Sequence, residues 1–199
     1  MIKYFPVLKY INRPNLITTI GLAFAVAAGY FMVAGSLRNT FICLALAMIM
    51  DFFDGFFAGK LDRQTSFGQS FDSLVDSFVC CVMPVLMVFT FVGIDMILVI
   101  AAGFYCICGL WRLSHYNVMA QSTEKSTHFT GLPVPGASLL NAMVLWLVVY
   151  HNLAYWVLAP AMIILGLMMI SFFKLQKYGL MQKLSWVVGL IFLIVVLIS

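Results

Sequence analysis

Apolar residues in this chain gather into long runs. Seven can be drawn, at about 16–35, 39–59, 69–92, 95–118, 133–150, 153–173 and 184–199. A helix needs about 20 residues to cross the hydrocarbon core of a bilayer. The first four runs reach that length comfortably, whereas the fifth and seventh are short. The pattern predicts antiparallel spanning helices joined by short loops, with no soluble domain between them. Ahead of the first run, residues 1–13 mix Lys3, Lys9 and Arg13 with Tyr4, Phe5 and Tyr10. That mixture suits a short interfacial helix on an anionic leaflet, or equally a plain basic anchor. Pro6, Asn12 and Pro14 interrupt this stretch, which lacks the pattern of a cleavable signal. Pro14 and Asn15 open the first span, with Asn15 the expected N-cap.

Composition turns the pattern into a class. The 199 residues are 64% hydrophobic and only 9% charged, with a mean hydropathy of +1.07. A soluble domain carries about 25% charged residues, and one of this size could not hide so much apolar surface from water. A nucleic-acid binder, a disulfide scaffold and a disordered chain are excluded. What remains is a single-domain (1–199), all-α, polytopic transmembrane helix bundle with six core spans, a seventh, and the N-terminal interfacial helix.

The formal charge of +4 gains meaning from position. With seven spans and an inside N-terminus, Lys3, Lys9, Arg13, Lys60, Arg63, Arg112, Lys125, Lys174, Lys177 and Lys183 share one side. Only Arg38 of the 11 basic residues falls on the other. The basic side is the cytoplasmic one. Five cysteines (Cys43, Cys80, Cys81, Cys106, Cys108) all lie in apolar runs and read as buried, inert thiols.

The acids carry the chemistry. Of seven acidic residues, Asp51 and Asp54 lie in span two, and Asp72 and Asp76 in span three. An aspartate at a helix centre costs about 2.5–3.5 kcal/mol on insertion scales, and no basic residue stands near these four in the same spans. The i, i+3 and i, i+4 spacings put each pair on one helical face. The loop between the spans is short, so both pairs sit near the cytoplasmic end and face one another as a cup of carboxylates. Such a cup calls for a cation or for water. All-oxygen ligands suit Mg²⁺, Mn²⁺ or Ca²⁺, and without His or Cys the set does not suit zinc. An ion or proton pathway is the second reading of the same spacing, and polar helix packing a third. Gly55 and Ala58 share the stripe of Asp51 and Asp54, and Gly68 lies four before Asp72. Small residues there let a helix or a ligand approach backbone.

In order, these residues read Asp51-x2-Asp54-Gly55-x2-Ala58-Gly59-x8-Gly68-x3-Asp72-x3-Asp76. The string closely resembles the motif of the CDP-alcohol phosphotransferases, D-x2-D-G-x2-A-R-x8-G-x3-D-x3-D. Seven of eight fixed positions match over 26 residues. The departure is Gly59, where the family has arginine; Lys60 is adjacent and Arg63 lies a turn later, neither in register. The resemblance implies an enzyme that moves a phosphatidyl group from a CDP-linked lipid to an alcohol, releasing CMP. It implies a divalent metal, Mg²⁺ or Mn²⁺ (a site Ca²⁺ can also occupy), held by Asp51, Asp54 and Asp72. Asp76 would border the metal and act as the catalytic base. Asn15, Thr18, Gly55, Ala58 and Gly68 would flank the nucleotide. A homodimer in the cell membrane, its active site facing the cytoplasm, is implied as well. The chemistry suits the residues: a diphosphate can enter an already negative cup only with cations, and an alcohol hydroxyl needs a positioned base.

Two further stretches resemble the serine-transferring branch of that family. His128-Phe129-Thr130-Gly131-Leu132-Pro133-Val134-Pro135-Gly136-Ala137 is similar to its F-x-G-L-P-x-P-A-A segment. Trp111-Arg112-Leu113-Ser114-His115-Tyr116-Asn117 is similar to R-L-A-R-F-N, with His115 in place of the second arginine. Gly131 to Pro135 cannot continue a helix and reads as a rigid re-entry into span five, on the cytoplasmic side facing the cup. The resemblance implies CDP-diacylglycerol and L-serine as partners, with Arg112, Lys125, Thr130, Gly131 and Pro133 binding substrate. Arg112 or Lys125 is available for the serine carboxylate, and Arg112 alternatively for the lipid phosphate. Other acceptors, such as glycerol 3-phosphate or an inositol phosphate, keep the same chemistry.

Overall fold

The computed structural model describes residues 12–60, 65–121, 128–172, 174–176, 189 and 191–198. Residues 1–11 of the expected interfacial segment, Arg63 and Lys125 lie outside the described residues.

Helix α1 (Arg13–Val33) is capped by Asn12, not by Asn15. Asn12 has extended backbone (φ −133°, ψ 171°), and its side-chain oxygen accepts the Asn15 backbone N–H at 2.9 Å. The reason is Pro14. Its ring presets helical φ in the first turn, where a missing N–H costs nothing, so the helix starts ahead of it. The Asn15 side chain, released from capping, is buried.

A turn at Gly35, φ +75°, leads into α2 (Leu37–Lys60). The two helices pack along a seam of small residues. Ala25, Ala28 and Ala47 are buried, and a Cβ on Gly21 would lie 3.2 Å from the Met50 Cβ and 3.3 Å from the Ala47 carbonyl oxygen. Between apolar helices in lipid, close backbone approach of this kind supplies the attraction that water exclusion cannot.

The third run, expected as one plain helix over 69–92, is a continuous rod with a rewound middle. It comprises α3 (Ser66–Asp76), a π-helical segment (Ser77–Val82) and α4 (Met83–Phe91). Thr65 caps it, its hydroxyl oxygen accepting the Gly68 N–H at 3.1 Å. Pro84 accounts for the rewinding. It has no N–H for the carbonyl of Cys80 four residues back, and its ring crowds that carbonyl. Widening to i→i+5 bonds relieves the crowding, as in the bond from the Met83 N–H to the Phe78 carbonyl.

Then follow α5 (Met96–Gln121), strand β1 (His128–Thr130), α6 (Val134–Tyr150), a 3₁₀ turn (Tyr155–Val157), α7 (Leu158–Ile170) and strand β2 (Lys174–Gln176). Residues 191–198 are helical again. The helical class expected from the sequence holds, with one addition: β1 and β2 pair antiparallel, His128 opposite Gln176 and Thr130 opposite Lys174. Strands of three residues leave no periodicity for a sequence to display. Gly166 of α7 packs on α5, where a Cβ would meet the Phe104 ring at 3.0 Å.

Asn15–Val33, Phe67–Phe91 and Met96–Met119 are long and apolar enough to cross a bilayer, while Val134–Tyr150 and Tyr155–Ile170 are shorter apolar helices. Their outward faces carry exposed apolar side chains such as Val26, Leu74, Ile97, Ile100 and Ile164. That surface is stable against lipid and not against water, so the chain is an integral membrane protein. Residues 191–198 close the bundle: Phe192 meets Phe41 edge-on at 5.6 Å and Trp146 at 6.2 Å. The Arg38 guanidinium donates to the Leu197 carbonyl. Its positive charge thus neutralises the negative end of that helix.

Candidate metal and substrate site

Four helices build the site. Asp51 comes from α2, and Asp72 and Asp76 from one face of α3; an oxygen from each lies within 4.8 Å of the others, and all three residues are partly buried. Two carboxylates 4.8 Å apart repel by about 3.5 kcal/mol at an effective dielectric of about 20. A divalent cation removes that cost. Oxygens on opposite sides of Mg²⁺ stand about 4.2 Å apart and around Ca²⁺ about 5 Å, so the three donors fit either shell with little movement. Asp54, Gly55 and Ala58 continue α2 beyond Asp51, but their side chains lie outside the described residues.

Helix α1 supplies the opposite wall. Thr18, Gly21, Asp51, Asp76 and Cys80 border a cleft of about 10 Å³, room for about one water-sized ligand. Asn15 stands over Gly68: a Cβ there would lie 2.8 Å from the Asn15 Oδ1 and 3.1 Å from the Thr65 hydroxyl oxygen. The structure therefore brings Asn15, Thr18 and Gly68 together with Asp51, Asp72 and Asp76. It also gives Gly68 a reason, the close crossing of α1 and α3.

Helix α5 closes the third side. The Ser73 hydroxyl, between Asp72 and Asp76 in sequence, stands 2.9 Å from the Asn117 Oδ1 and 3.0 Å from the Gln69 carbonyl. Arg112, five residues before Asn117, is only 6% exposed, and its buried Nε has no hydrogen-bond partner among the described residues. A guanidinium withdrawn so far from water calls for an anion. Two groups near the site were missed by sequence reasoning as site residues. Tyr105 donates to the Cys80 carbonyl at 3.0 Å and Cys106 to the Cys81 carbonyl at 3.2 Å, both in the π segment following Asp76. The available signal was Pro84, whose absent N–H marks Cys80 as needing another donor.

The segment from Gly131 to Pro135 is anchored to α7. Gly131 has φ +74°, and a Cβ on it would lie 2.4 Å from the Met169 carbonyl oxygen; the Leu132 N–H donates to the Met168 carbonyl at 2.9 Å. Pro133 is the N-cap residue of α6, which is the expected re-entry. Thr130 ends β1, with its side chain outside the described residues.

Comparison with known proteins agrees with this architecture. The family model of the CDP-alcohol phosphatidyltransferases matches residues 11–171. The chain belongs to that family. Among similar proteins, an archaetidylserine synthase of Methanothermobacter thermautotrophicus is 30% identical over 66% of this chain and 56% of its own length. A CDP-diacylglycerol–serine O-phosphatidyltransferase of Methanocaldococcus jannaschii is 28% identical over 87% of this chain and 78% of its own. A protein of the same name from Helicobacter pylori is 26% identical over 94% and 79%. The chain thus spans little more than half the first relative and over three quarters of the other two.

Proposed function

We propose that this protein transfers a phosphatidyl group from CDP-diacylglycerol to L-serine, giving phosphatidylserine and CMP. The observation that carries the reading is the convergence of Asp51, Asp72 and Asp76 within 4.8 Å inside a family-specific motif. The names of the similar proteins support serine as acceptor. Asp51 and Asp72, with Asp54, would hold the divalent cation. When bound, it neutralises the carboxylates and the diphosphate that must lie beside them.

The chain's own residues do the rest. Asn15, Thr18 and Gly68, with Gly55 and Ala58, form the wall against which the cytidine nucleotide rests. Asp76 accepts the proton of the serine hydroxyl. The serine oxygen bonds to the phosphorus bearing diacylglycerol, the bond from that phosphorus to the bridging oxygen breaks, and CMP departs with the electron pair. The proton leaves Asp76 for water. Arg112 receives an anionic group, the serine carboxylate in this reading, and Lys125, Thr130, Gly131 and Pro133 border the acceptor. The charge asymmetry along the sequence supports a site at the cytoplasmic face of the cell membrane, and the resemblance implies a homodimer.

The test is CMP release by purified protein with CDP-diacylglycerol, Mn²⁺ or Mg²⁺ and a panel of acceptors. Serine should support release and yield phosphatidylserine. Release with glycerol 3-phosphate or an inositol phosphate, and none with serine, overturns the acceptor. The acceptor panel is repeated with Arg112→Met, expected to raise the KM for serine while leaving that for CDP-diacylglycerol in place.

A further inference from the structure

The π segment sits directly after Asp76, and three residues of α5 are fitted to it. Tyr105 is fully buried, and its hydroxyl donates to the Cys80 carbonyl at 3.0 Å. The Cys106 thiol donates to the Cys81 carbonyl at 3.2 Å. Gly109, one turn on, admits the Cys81 side chain so closely that a Cβ would lie 2.6 Å from its sulfur. The Cys80 carbonyl is the one that Pro84 leaves without its helical N–H. A buried carbonyl without a partner costs more than the net gain of an ordinary hydrogen bond, so the wide turn needs the tyrosine hydroxyl. Cys80 itself borders the cleft together with Asp51 and Asp76.

We propose that Tyr105 is a positioning residue for this reaction: by donating to the Cys80 carbonyl it holds the π turn that aims Asp72 and Asp76 at Asp51. The proposal rests on the function above and adds a residue outside the motif, on a different helix. A regular α-helical turn at this point would rotate α3 against α4, because a π turn accommodates one extra residue. With α4 fixed by its buried Met83, Met87 and Val88, the rotation would fall on the aspartates. The tyrosine touches neither substrate nor metal; it acts through the backbone.

Mn²⁺ binding, measured by electron paramagnetic resonance on detergent-purified protein, and steady-state CMP release per folded molecule test this. Tyr105→Phe keeps the ring and removes the donor. It should raise the Mn²⁺ dissociation constant several-fold and lower kcat about tenfold, with the KM for CDP-diacylglycerol unchanged. Pro84→Ala alone returns an N–H to the Cys80 carbonyl, favours the regular turn and should move both quantities in the same direction as Tyr105→Phe. Unchanged Mn²⁺ affinity and kcat in Tyr105→Phe, or a lowered melting temperature alone, overturns the proposal. Should that variant not fold, Cys106→Ser and Cys106→Ala replace it. Loss in the alanine variant and retention in the serine variant supports the role, and equal behaviour overturns it. Mn²⁺ binding is read without substrate, so a wild-type protein that binds Mn²⁺ yet transfers nothing to serine refutes the function while leaving this test intact.

Discussion

At the scale of single residues, the proposed function divides the carboxylates by task. Asp76 faces the same small space as Asp51 and Asp72, but in that proposal it is the base and must exchange a proton. Asp76→Asn should keep CDP-diacylglycerol and Mn²⁺ binding and lose at least about 100-fold in kcat; Mn²⁺ titration beside single-turnover CMP release separates the two. Asp51→Ala or Asp72→Ala should instead shift the metal titration itself. Gly68→Ala should fail differently. Its methyl would press on the Asn15 Oδ1, an overpacking worth about 1–3 kcal/mol, seen as a lower melting temperature and a higher KM for CDP-diacylglycerol. These residues were legible in the sequence because ionisable groups inside apolar runs stand out against their background. Asn15 was legible only in part: its place at the site was implied by resemblance, while its expected capping role fell to Asn12 once Pro14 set the start of the helix.

At the scale of elements, the spans were read from their lengths, and the irregular turns were not. The runs at 16–35, 95–118 and 133–150 became α1, α5 and α6 with ends moved by a few residues. The π segment escaped because an apolar run of the composition SFVCCV suits either winding; only the proline two residues later distinguishes them. The ribbon of β1 and β2 escaped because backbone pairing, not side-chain pattern, defines it. The Gly131 turn was read as rigid from its prolines, yet its contact with the carbonyls ending α7 is tertiary and invisible in sequence. Gly131→Ala therefore tests the element. It forces a Cβ into positive φ and against the Met169 carbonyl oxygen, a cost of at least about 1–3 kcal/mol from the backbone alone, and should lower thermal stability in detergent.

At the scale of the whole molecule, composition decided the class and charge decided the proposed orientation. Cysteines introduced singly at Ser36 and Gln121 of a cysteine-free variant should label from opposite sides of an intact membrane, Gln121→Cys from the cytoplasm. Chelation by EDTA should abolish CMP release, and Mg²⁺ or Mn²⁺ should restore it. The bundle also shows how the carboxylates are spaced. Helix α1 touches α2 through Gly21 and Met50, and α3 through Asn15 and Gly68. It thereby serves as a gauge rod between two carriers of charge. The distance across which the aspartates regard one another is thus written into the opening third of the chain, and a tilt of this rod should alter it.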